Sequence, residues 1–235
     1  MQTSFLDETT LTQKAMVMYD IFLKTYDERP LKPARREPMT QLIMTILSHR
    51  TTNANEKLAF TRMWDYYGSW EAIRDADVTK LTELIASSNY PEAKAPYIKG
   101  TLARIIEERG EANIDFLENL PVEDGLKWLL SLPGVGIKTA SLVLLFNFGK
   151  LIMPVDTHVH RVSLRTGLLP PRTSAEKAHT QLLDILPKDP HILYNFHVDC
   201  LKHGQKICTW NFPKCSQCPI KHLCNYYRDV YTRQP

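Results

Sequence analysis

Apolar residues recur at helical spacing along most of the chain, and short stretches with polar residues, glycine or proline separate the apolar runs. In the first run, Leu11, Ala15, Met18 and Phe22 fall near one helical face. The pattern predicts an all-α protein with a charged, proline-rich linker over 24–38. The predicted helices cover residues 10–26, 38–48, 55–67, 69–76, 78–86 and 92–109, with a short one at 115–118 and others around 125–132, 139–146, 159–164 and 196–203.

The stretch 132–140, Leu-Pro-Gly-Val-Gly-Ile-Lys-Thr-Ala, lies between two of these apolar runs. Pro133 is a poor continuation of the first helix because its ring clashes with the carbonyl four residues back. Gly134 and Gly136 allow a tight turn with positive φ. The amides that open the second helix lack partners and favour an anion, so the pattern predicts a helix–hairpin–helix. An ordinary helix–helix turn is the alternative interpretation.

Two residues near this turn carry candidate chemistry. Lys138 stands in the first turn of the second helix, where the helix dipole does not favour a cation. A weakened ammonium form helps an amine that must act as a nucleophile. Asp156 follows 18 residues later, near the start of another helix. It is either an ordinary N-cap or a carboxylate with a chemical role.

The composition is ordinary for a soluble globular protein, since 43% of the 235 residues are hydrophobic and 23% are charged. The length fits one large domain or two small ones. No apolar stretch approaches the ~18 residues of a membrane span, and residues 1–13 are acidic and polar, unlike a secretory signal. We therefore expect no membrane partner and a cytoplasmic location, associated with the nucleoid if the source is bacterial.

Positive charge is concentrated at the C-terminus. Residues 200–235 hold six lysines and arginines against one aspartate, a net +5, whereas the whole chain carries +3. A basic block of this kind predicts a polyanion partner, with Lys206 and Lys214 as candidate contacts. A solubilising tail is the alternative.

All five cysteines also lie in this block, between residues 200 and 224. A local cluster in a chain without a secretory signal indicates metal binding more than disulfides. Cys208, Cys215, Cys218 and Cys224 have the spacing C-x6-C-x2-C-x5-C, and four thiolates this close can wrap one small polynuclear cluster. A zinc ribbon, the alternative, more often uses two separated C-x2-C pairs. Cys200 lies outside the pattern and is predicted to be a buried helix residue.

These motifs together resemble the endonuclease III family of DNA glycosylases. The resemblance runs from about Pro38 to Tyr226 and rests on LPGVGIKTA, PVDTHVHR and the cysteine spacing, which is that of the family's four-iron four-sulfur loop. It implies an all-α, two-domain helix-hairpin-helix DNA glycosylase fold with a DNA cleft between the domains. Residues 31–150 would form a six-helix barrel, and residues 1–30 with 151–235 would form the iron–sulfur cluster domain.

The resemblance also implies roles for individual residues. Lys138 matches the nucleophilic lysine of the bifunctional glycosylases, which forms a Schiff base with the deoxyribose, and Asp156 matches their essential aspartate. The four patterned cysteines would hold the four-iron four-sulfur cluster. The hairpin residues Gly134, Gly136 and Thr139 would contact the DNA. The target base must leave the stack before this chemistry can reach it.

Two positions depart from the family pattern. Arg50 stands where the family has a glutamine that fills the gap left by the extruded nucleotide. Tyr90 stands where the family has a leucine wedge. Arginine donors suit guanine edges and an aromatic ring can stack on an unpaired base, so both residues are candidate gap fillers. The alternatives are a phosphate-contacting arginine and a tyrosine packed over its turn.

We therefore expect a monomeric base-excision-repair glycosylase with AP lyase activity that acts on damaged double-stranded DNA, with oxidised pyrimidines as substrates. Two alternatives remain. The first is a glycosylase of the same fold that removes an alkylated or mismatched base. The second is a non-catalytic DNA-binding module.

Overall fold

Local capping signals set the ends of most helices. In the computed structural model, which describes residues 8–31 and 36–233, the carboxylate of Glu37 accepts hydrogen bonds from the amides of Met39 and Thr40 at the start of a helix. Left-handed glycines end three others, at Gly68, Gly110 and Gly167. The helices are α1 (Glu8–Tyr26), α2 (Pro38–Ser48), α3 (Asn53–Tyr67), α4 (Trp70–Asp75), α5 (Val78–Leu84), α6 (Pro91–Arg109), α7 (Val122–Leu130), α8 (Ile137–Phe148), α9 (Thr157–Thr166), α10 (Ala175–Ile185), α11 (Pro190–Lys206) and α12 (Asn225–Asp229).

The described ranges contain these α-helices and a few short 3-10 turns but no β-strand. This confirms the predicted all-α class. α10 was not predicted, although Ser174 caps it and Ala178, Leu182 and Ile185 bury one face. No helix in the described ranges is long and apolar enough to cross a membrane.

The described residues fall into two compact units. We call residues 36–148 the hairpin unit, and residues 8–31 with 149–233 the cysteine unit. The sequence analysis predicted the boundaries between two domains after residues 30 and 150. Lys138 therefore belongs to the hairpin unit and Asp156 to the cysteine unit.

The core of the hairpin unit forms around α2, which packs against α3, α6 and α8. Its residues Leu42, Ile43, Ile46 and Leu47 are essentially inaccessible to solvent. Burial of such side chains contributes about 1.5–3 kcal/mol each. α8 also packs against α7, so both helices of the predicted hairpin are held in one core.

In the cysteine unit, α1 packs against α10 and α11, and α9 packs against α11 and α12. The guanidinium of Arg29 donates to the buried carboxylate of Asp199 at 2.6 Å, and the Arg29 amide donates to Asn195 at 2.9 Å. These bonds anchor the chain just after α1. The predicted helix over residues 10–26 is confirmed at its C-terminal end, since α1 ends at Tyr26. The predicted linker over 24–38 therefore begins after Tyr26, and its residues 32–35 lie outside the described residues.

Candidate functional site

The glycine turn before α8 is fixed against α6. Gly134 has a φ of 72°, and a Cβ there would lie 2.7 Å from Tyr97. The hydroxyl of Thr101 donates to the carbonyl of Pro133 at 2.7 Å. The positive φ predicted at Gly134 is therefore confirmed. The same expectation for Gly136 is wrong, because its φ is not positive, and a Cβ there would meet only open space.

Lys138 is the second residue of α8, so its predicted place in the first helical turn is confirmed. It is half-buried. The next residue, Thr139, is buried, and its hydroxyl oxygen lies 3.0 Å from Nε2 of His49. This contact joins the start of α8 to the end of α2. That Gly134, Gly136 and Thr139 contact DNA stays a prediction.

A buried lysine that the sequence analysis missed lies beside this contact. Nζ of Lys94 lies 2.8 Å from the Leu47 carbonyl, 2.7 Å from the His49 carbonyl and 2.6 Å from Oγ of Ser88. It thereby satisfies carbonyls at the C-terminal end of α2 that lack helical partners. The sequence did contain one indication of this burial. Lys94 lies four positions before Ile98 on α6, so the two side chains share the buried face of the helix.

Burial controls the charges around Lys138. Burial lowers the pKa of His49 to about 4, with smaller contributions from the charges of Lys138 and Lys94, so this imidazole is neutral near pH 7. Burial also lowers the pKa of Lys94 to about 8. It raises the pKa of Glu56, although Arg36, whose guanidinium lies 3.4 Å away, acts in the opposite direction.

The structure brings Arg50 and Tyr90 together at the ends of two adjacent loops. Both side chains are exposed, and both residues are left-handed, with φ of 55° and 59°. The guanidinium carbon of Arg50 lies 5.7 Å from the centre of the Tyr90 ring. The side-chain amide of Asn89 also donates to the carbonyl of Arg50. Non-glycine residues rarely adopt this conformation, and such strain often marks a functional site. Contact of this pair with DNA stays a prediction.

In the cysteine unit, Asp156 is the N-cap of α9. One carboxylate oxygen accepts hydrogen bonds from the amides of His158 and Val159 at 2.8 and 2.7 Å. The side chain is half-buried. The prediction that Asp156 is an N-cap is thus confirmed. The two hydrogen bonds fix the orientation of its carboxylate.

The four patterned cysteines line one cavity with about 350 Å³ of empty space, including the part that opens to solvent. Nowhere in the described chain do three His, Cys, Asp or Glu side chains come close enough to hold a single metal ion. The fifth cysteine, Cys200, is fully buried in α11, as predicted.

Two nitrogen-bearing side chains lie against sulfur atoms of this cavity. The guanidinium of Arg165 lies 3.3 Å from Sγ of Cys208, and Nε2 of His203 lies 3.5 Å from Sγ of Cys218. The guanidinium is a donor and suits a sulfur atom that carries negative charge. Burial raises the pKa of the Cys218 thiol to about 12. Lys206, at the end of α11, and Lys214, within the cysteine segment, are both exposed.

Residues 43–188 match the HhH-GPD superfamily of base excision DNA repair proteins. The chain belongs to the HhH-GPD superfamily. This HhH-GPD protein is 33% identical to endonuclease III of Thermotoga maritima over 199 residues. The match covers 85% of this chain and 88% of that protein. It is also 30% identical over 177 residues to the DNA glycosylase/AP lyase ROS1 of Arabidopsis thaliana, but spans only 13% of the length of ROS1.

The HhH-GPD fold is also evident in three dimensions. The structure of a trapped endonuclease III–DNA covalent intermediate, an estranged-adenine complex, matches with a TM-score of 0.77 and 28% identity. The match covers 92% of this chain and 97% of that chain. The resemblance to endonuclease III and the predicted fold class are therefore confirmed.

Proposed function

We propose that this chain is a DNA glycosylase with AP lyase activity, which excises damaged bases, oxidised pyrimidines in particular, from double-stranded DNA. The observation that carries the proposal is the placement of Lys138. It is half-buried in the first turn of α8, directly after a glycine turn that is held against α6, and it lies beside a neutral His49. An amine at a helix N-terminus among other cationic groups is suited to act as a nucleophile.

In the proposed reaction, the neutral amine of Lys138 attacks C1′ of the damaged nucleotide, and the bond from C1′ to the base breaks. The carboxylate of Asp156 stabilises the positive charge that develops on the sugar and can accept a proton. The departing base takes up a proton, and a proton of the attached nitrogen passes by way of Asp156 to O4′ as the sugar ring opens to a protonated Schiff base on Lys138. Loss of a proton from C2′ then expels the 3′ phosphate by β-elimination.

The same proposal assigns the DNA contacts. The open backbone at Gly136 and the amides after Gly134 would approach a phosphate. Arg50 and Tyr90 would fill the gap left by the flipped nucleotide. The exposed Lys206 and Lys214 would contact the phosphate backbone, which makes affinity depend on salt.

We further propose that Cys208, Cys215, Cys218 and Cys224 hold a four-iron four-sulfur cluster that stabilises the C-terminal segment. Their spacing in the sequence, their shared cavity and the guanidinium of Arg165 beside Sγ of Cys208 support this assignment. When bound, the cluster would supply the structural link that a short cysteine-rich segment otherwise lacks. Iron and acid-labile sulfide in equal amounts in purified protein would support it, and stoichiometric zinc without iron would contradict it.

Borohydride trapping tests the enzymatic proposal. Wild type, Lys138→Gln and a control, Lys127→Gln on the exposed face of α7, would be incubated with duplexes that contain thymine glycol or a plain abasic site. We expect a covalent adduct on both duplexes in wild type and in Lys127→Gln, and none in Lys138→Gln. An adduct on the abasic site alone would retain the lyase but exclude thymine glycol as a substrate. No adduct on either duplex would refute the bifunctional mechanism.

A second candidate function is removal of a pyrimidine from a mispair with guanine. The observation that favours it is the exposed guanidinium of Arg50, which presents only donors. Excision of thymine or uracil opposite guanine, at a rate above that of the oxidised pyrimidine, would support this substrate.

A further inference from the structure

Arg50 and Tyr90 lie in two short loops of the hairpin unit. We call residues 49–52, between α2 and α3, the Arg50 loop, and residues 85–90, between α5 and α6, the Tyr90 loop. Both residues have a left-handed backbone, with φ of 55° and 59°, and both side chains are exposed. Such a conformation costs energy in a non-glycine residue and persists only where the surrounding structure enforces it. The bonds that hold these two loops therefore determine where the pair lies.

The buried ammonium of Lys94 joins the end of α2 to the Tyr90 loop. Its Nζ donates to the carbonyls of Leu47 and His49 at 2.8 and 2.7 Å and to Oγ of Ser88 at 2.6 Å. The Ser88 hydroxyl uses its own hydrogen to donate to the Leu47 carbonyl at 2.8 Å. Three acceptors require three hydrogens, which an ammonium has and a neutral amine lacks. Lys94 is therefore charged in this arrangement, although only 5% of the residue is exposed.

The peptide groups on both sides of Arg50 are bound by side chains from the Tyr90 loop and α6. The carbonyl before Arg50 is that of His49, which accepts from Lys94 at 2.7 Å. The carbonyl of Arg50 itself accepts a hydrogen bond from the side-chain amide of Asn89. Because the orientations of these two planar peptide groups define φ and ψ of the residue between them, the two bonds together hold Arg50 in its left-handed conformation.

Lys94 also fixes the Tyr90 loop. The carbonyl of Tyr90 accepts from the backbone amide of Lys94 at 3.2 Å, at the start of α6. Ser88, two residues before Tyr90, is bound through its hydroxyl to Nζ of Lys94 and to the Leu47 carbonyl. With both loops held in this way, the guanidinium carbon of Arg50 lies 5.7 Å from the centre of the Tyr90 ring.

We infer that Lys94 and Asn89 are positioning residues, which hold Arg50 and Tyr90 as a preformed pair that enters the gap left by an extruded nucleotide. This role rests on the gap-filling function proposed above for the pair. Without these bonds the two loops would have to be ordered when DNA binds, and that cost would reduce the affinity for DNA that contains such a gap. Intact DNA offers no gap to fill, so its affinity should not depend on the bonds.

The test compares the dissociation constants of two duplexes that differ at one nucleotide. One duplex contains tetrahydrofuran, a stable abasic analogue, and the other is undamaged. The ratio of the two constants is the preference for the abasic duplex, and it would be measured by fluorescence anisotropy for wild type, Lys94→Met and Asn89→Ala. Lys99→Met is the matched control, because Lys99 also lies on α6 and donates to a carbonyl at the end of α4, that of Ala76.

We expect Lys94→Met and Asn89→Ala each to lower the preference about tenfold, or about 1.4 kcal/mol, since ordering the backbone of one residue costs about that much. Lys99→Met should keep the wild-type preference. In a background that carries Arg50→Ala and Tyr90→Ala, Lys94→Met should have no further effect on the preference. An unchanged preference in Lys94→Met, or an equal loss in both backgrounds, would show a structural role only and would overturn the inference.

Asn89→Ala covers the case in which Lys94→Met does not fold, as judged by circular dichroism. Asn89 is exposed, so its truncation frees the carbonyl of Arg50 and leaves the contacts of Nζ intact. The full wild-type preference in folded Asn89→Ala would then overturn the inference. A wild type without any preference would refute the gap-filling function and the inference with it. The absence of a borohydride adduct in wild type would refute the lyase, but the binding preferences would still decide the inference.

Discussion

Arg50 is expected to make excision depend on the base opposite the lesion. A guanidinium has five N–H donors and no acceptor. Guanine presents two adjacent acceptors, O6 and N7, whereas adenine presents the N7 acceptor beside an N6 donor. The guanidinium of Arg50 is exposed at the end of its loop, above the Tyr90 ring. Replacement by glutamine, which carries both a donor and an acceptor, should therefore lower the preference for guanine over adenine.

The size of this effect follows from two contributions. A bidentate contact to a base edge discriminates against the wrong base by roughly 1–3 kcal/mol. If Arg50 must leave the Tyr90 ring, 5.7 Å away, to make that contact, it loses an exposed cation–π interaction. Such an interaction contributes about 0.5–1 kcal/mol. The difference between the midpoints of the two ranges is about 1.3 kcal/mol, which corresponds to a roughly eightfold preference.

The assay is single-turnover excision of one damaged pyrimidine in two duplexes that differ only in the opposite base. Wild type should process the duplex with guanine faster than the duplex with adenine, and Arg50→Gln should reduce that ratio towards one. Arg62→Gln, at an exposed position on α3, is the matched control and should leave the ratio unchanged. An equal loss of activity on both duplexes in Arg50→Gln would refute the reasoning, because it would mean that Arg50 contacts phosphate only.

Three further predictions concern stability and the cofactor. Gly134→Ala should lower the free energy of unfolding by roughly 1–3 kcal/mol in urea titrations, because its φ is 72° and its Cβ would collide with a neighbouring ring. Gly136→Ala should change it by less than about 0.5 kcal/mol, and an equal loss in both would contradict the geometry. Burial holds the pKa of His49 near 4, below its usual 6.5, so stability should fall as pH drops from 6.5 towards 4, and His49→Gln should flatten that slope. Cys218→Ser should lose bound iron by metal analysis whereas Cys200→Ala, outside the cavity, should keep it, and retention of iron in Cys218→Ser would contradict the assigned ligands.

The sequence predicted best those features that local interactions determine. α2 spans Pro38–Ser48 in both the prediction and the structure, because a first-turn proline and the capping carboxylate of Glu37 define its start. Lys138 and Asp156 likewise lie at the helix positions that their neighbours in sequence indicated. Gly136 shows the limit of this reasoning. A glycine in the sequence does not indicate whether its backbone has a positive φ or whether it leaves the surface open.

Features that depend on contacts between distant residues could not be predicted in this way. Lys94 is separated from Leu47 by 47 positions, so the cage around its ammonium exists only once α2 and α6 have packed. The contact between Arg50 and Tyr90 also forms across two loops. The resemblance to the endonuclease III family indicated both Arg50 and Tyr90 as candidates, but only the structure shows that they lie side by side.

Several unfavourable features of the hairpin unit lie at the end of α2 and the start of α6. Arg50 and Tyr90 adopt left-handed conformations that cost about 1 kcal/mol or more each in non-glycine residues. Lys94 buries an ammonium among neutral oxygens nearby, which also opposes folding. A chain under selection for stability alone could relieve the backbone strain with glycine at residues 50 and 90. If the strain serves DNA recognition, Arg50→Gly and Tyr90→Gly should raise the free energy of unfolding while they weaken excision, and a gain in both would contradict that explanation.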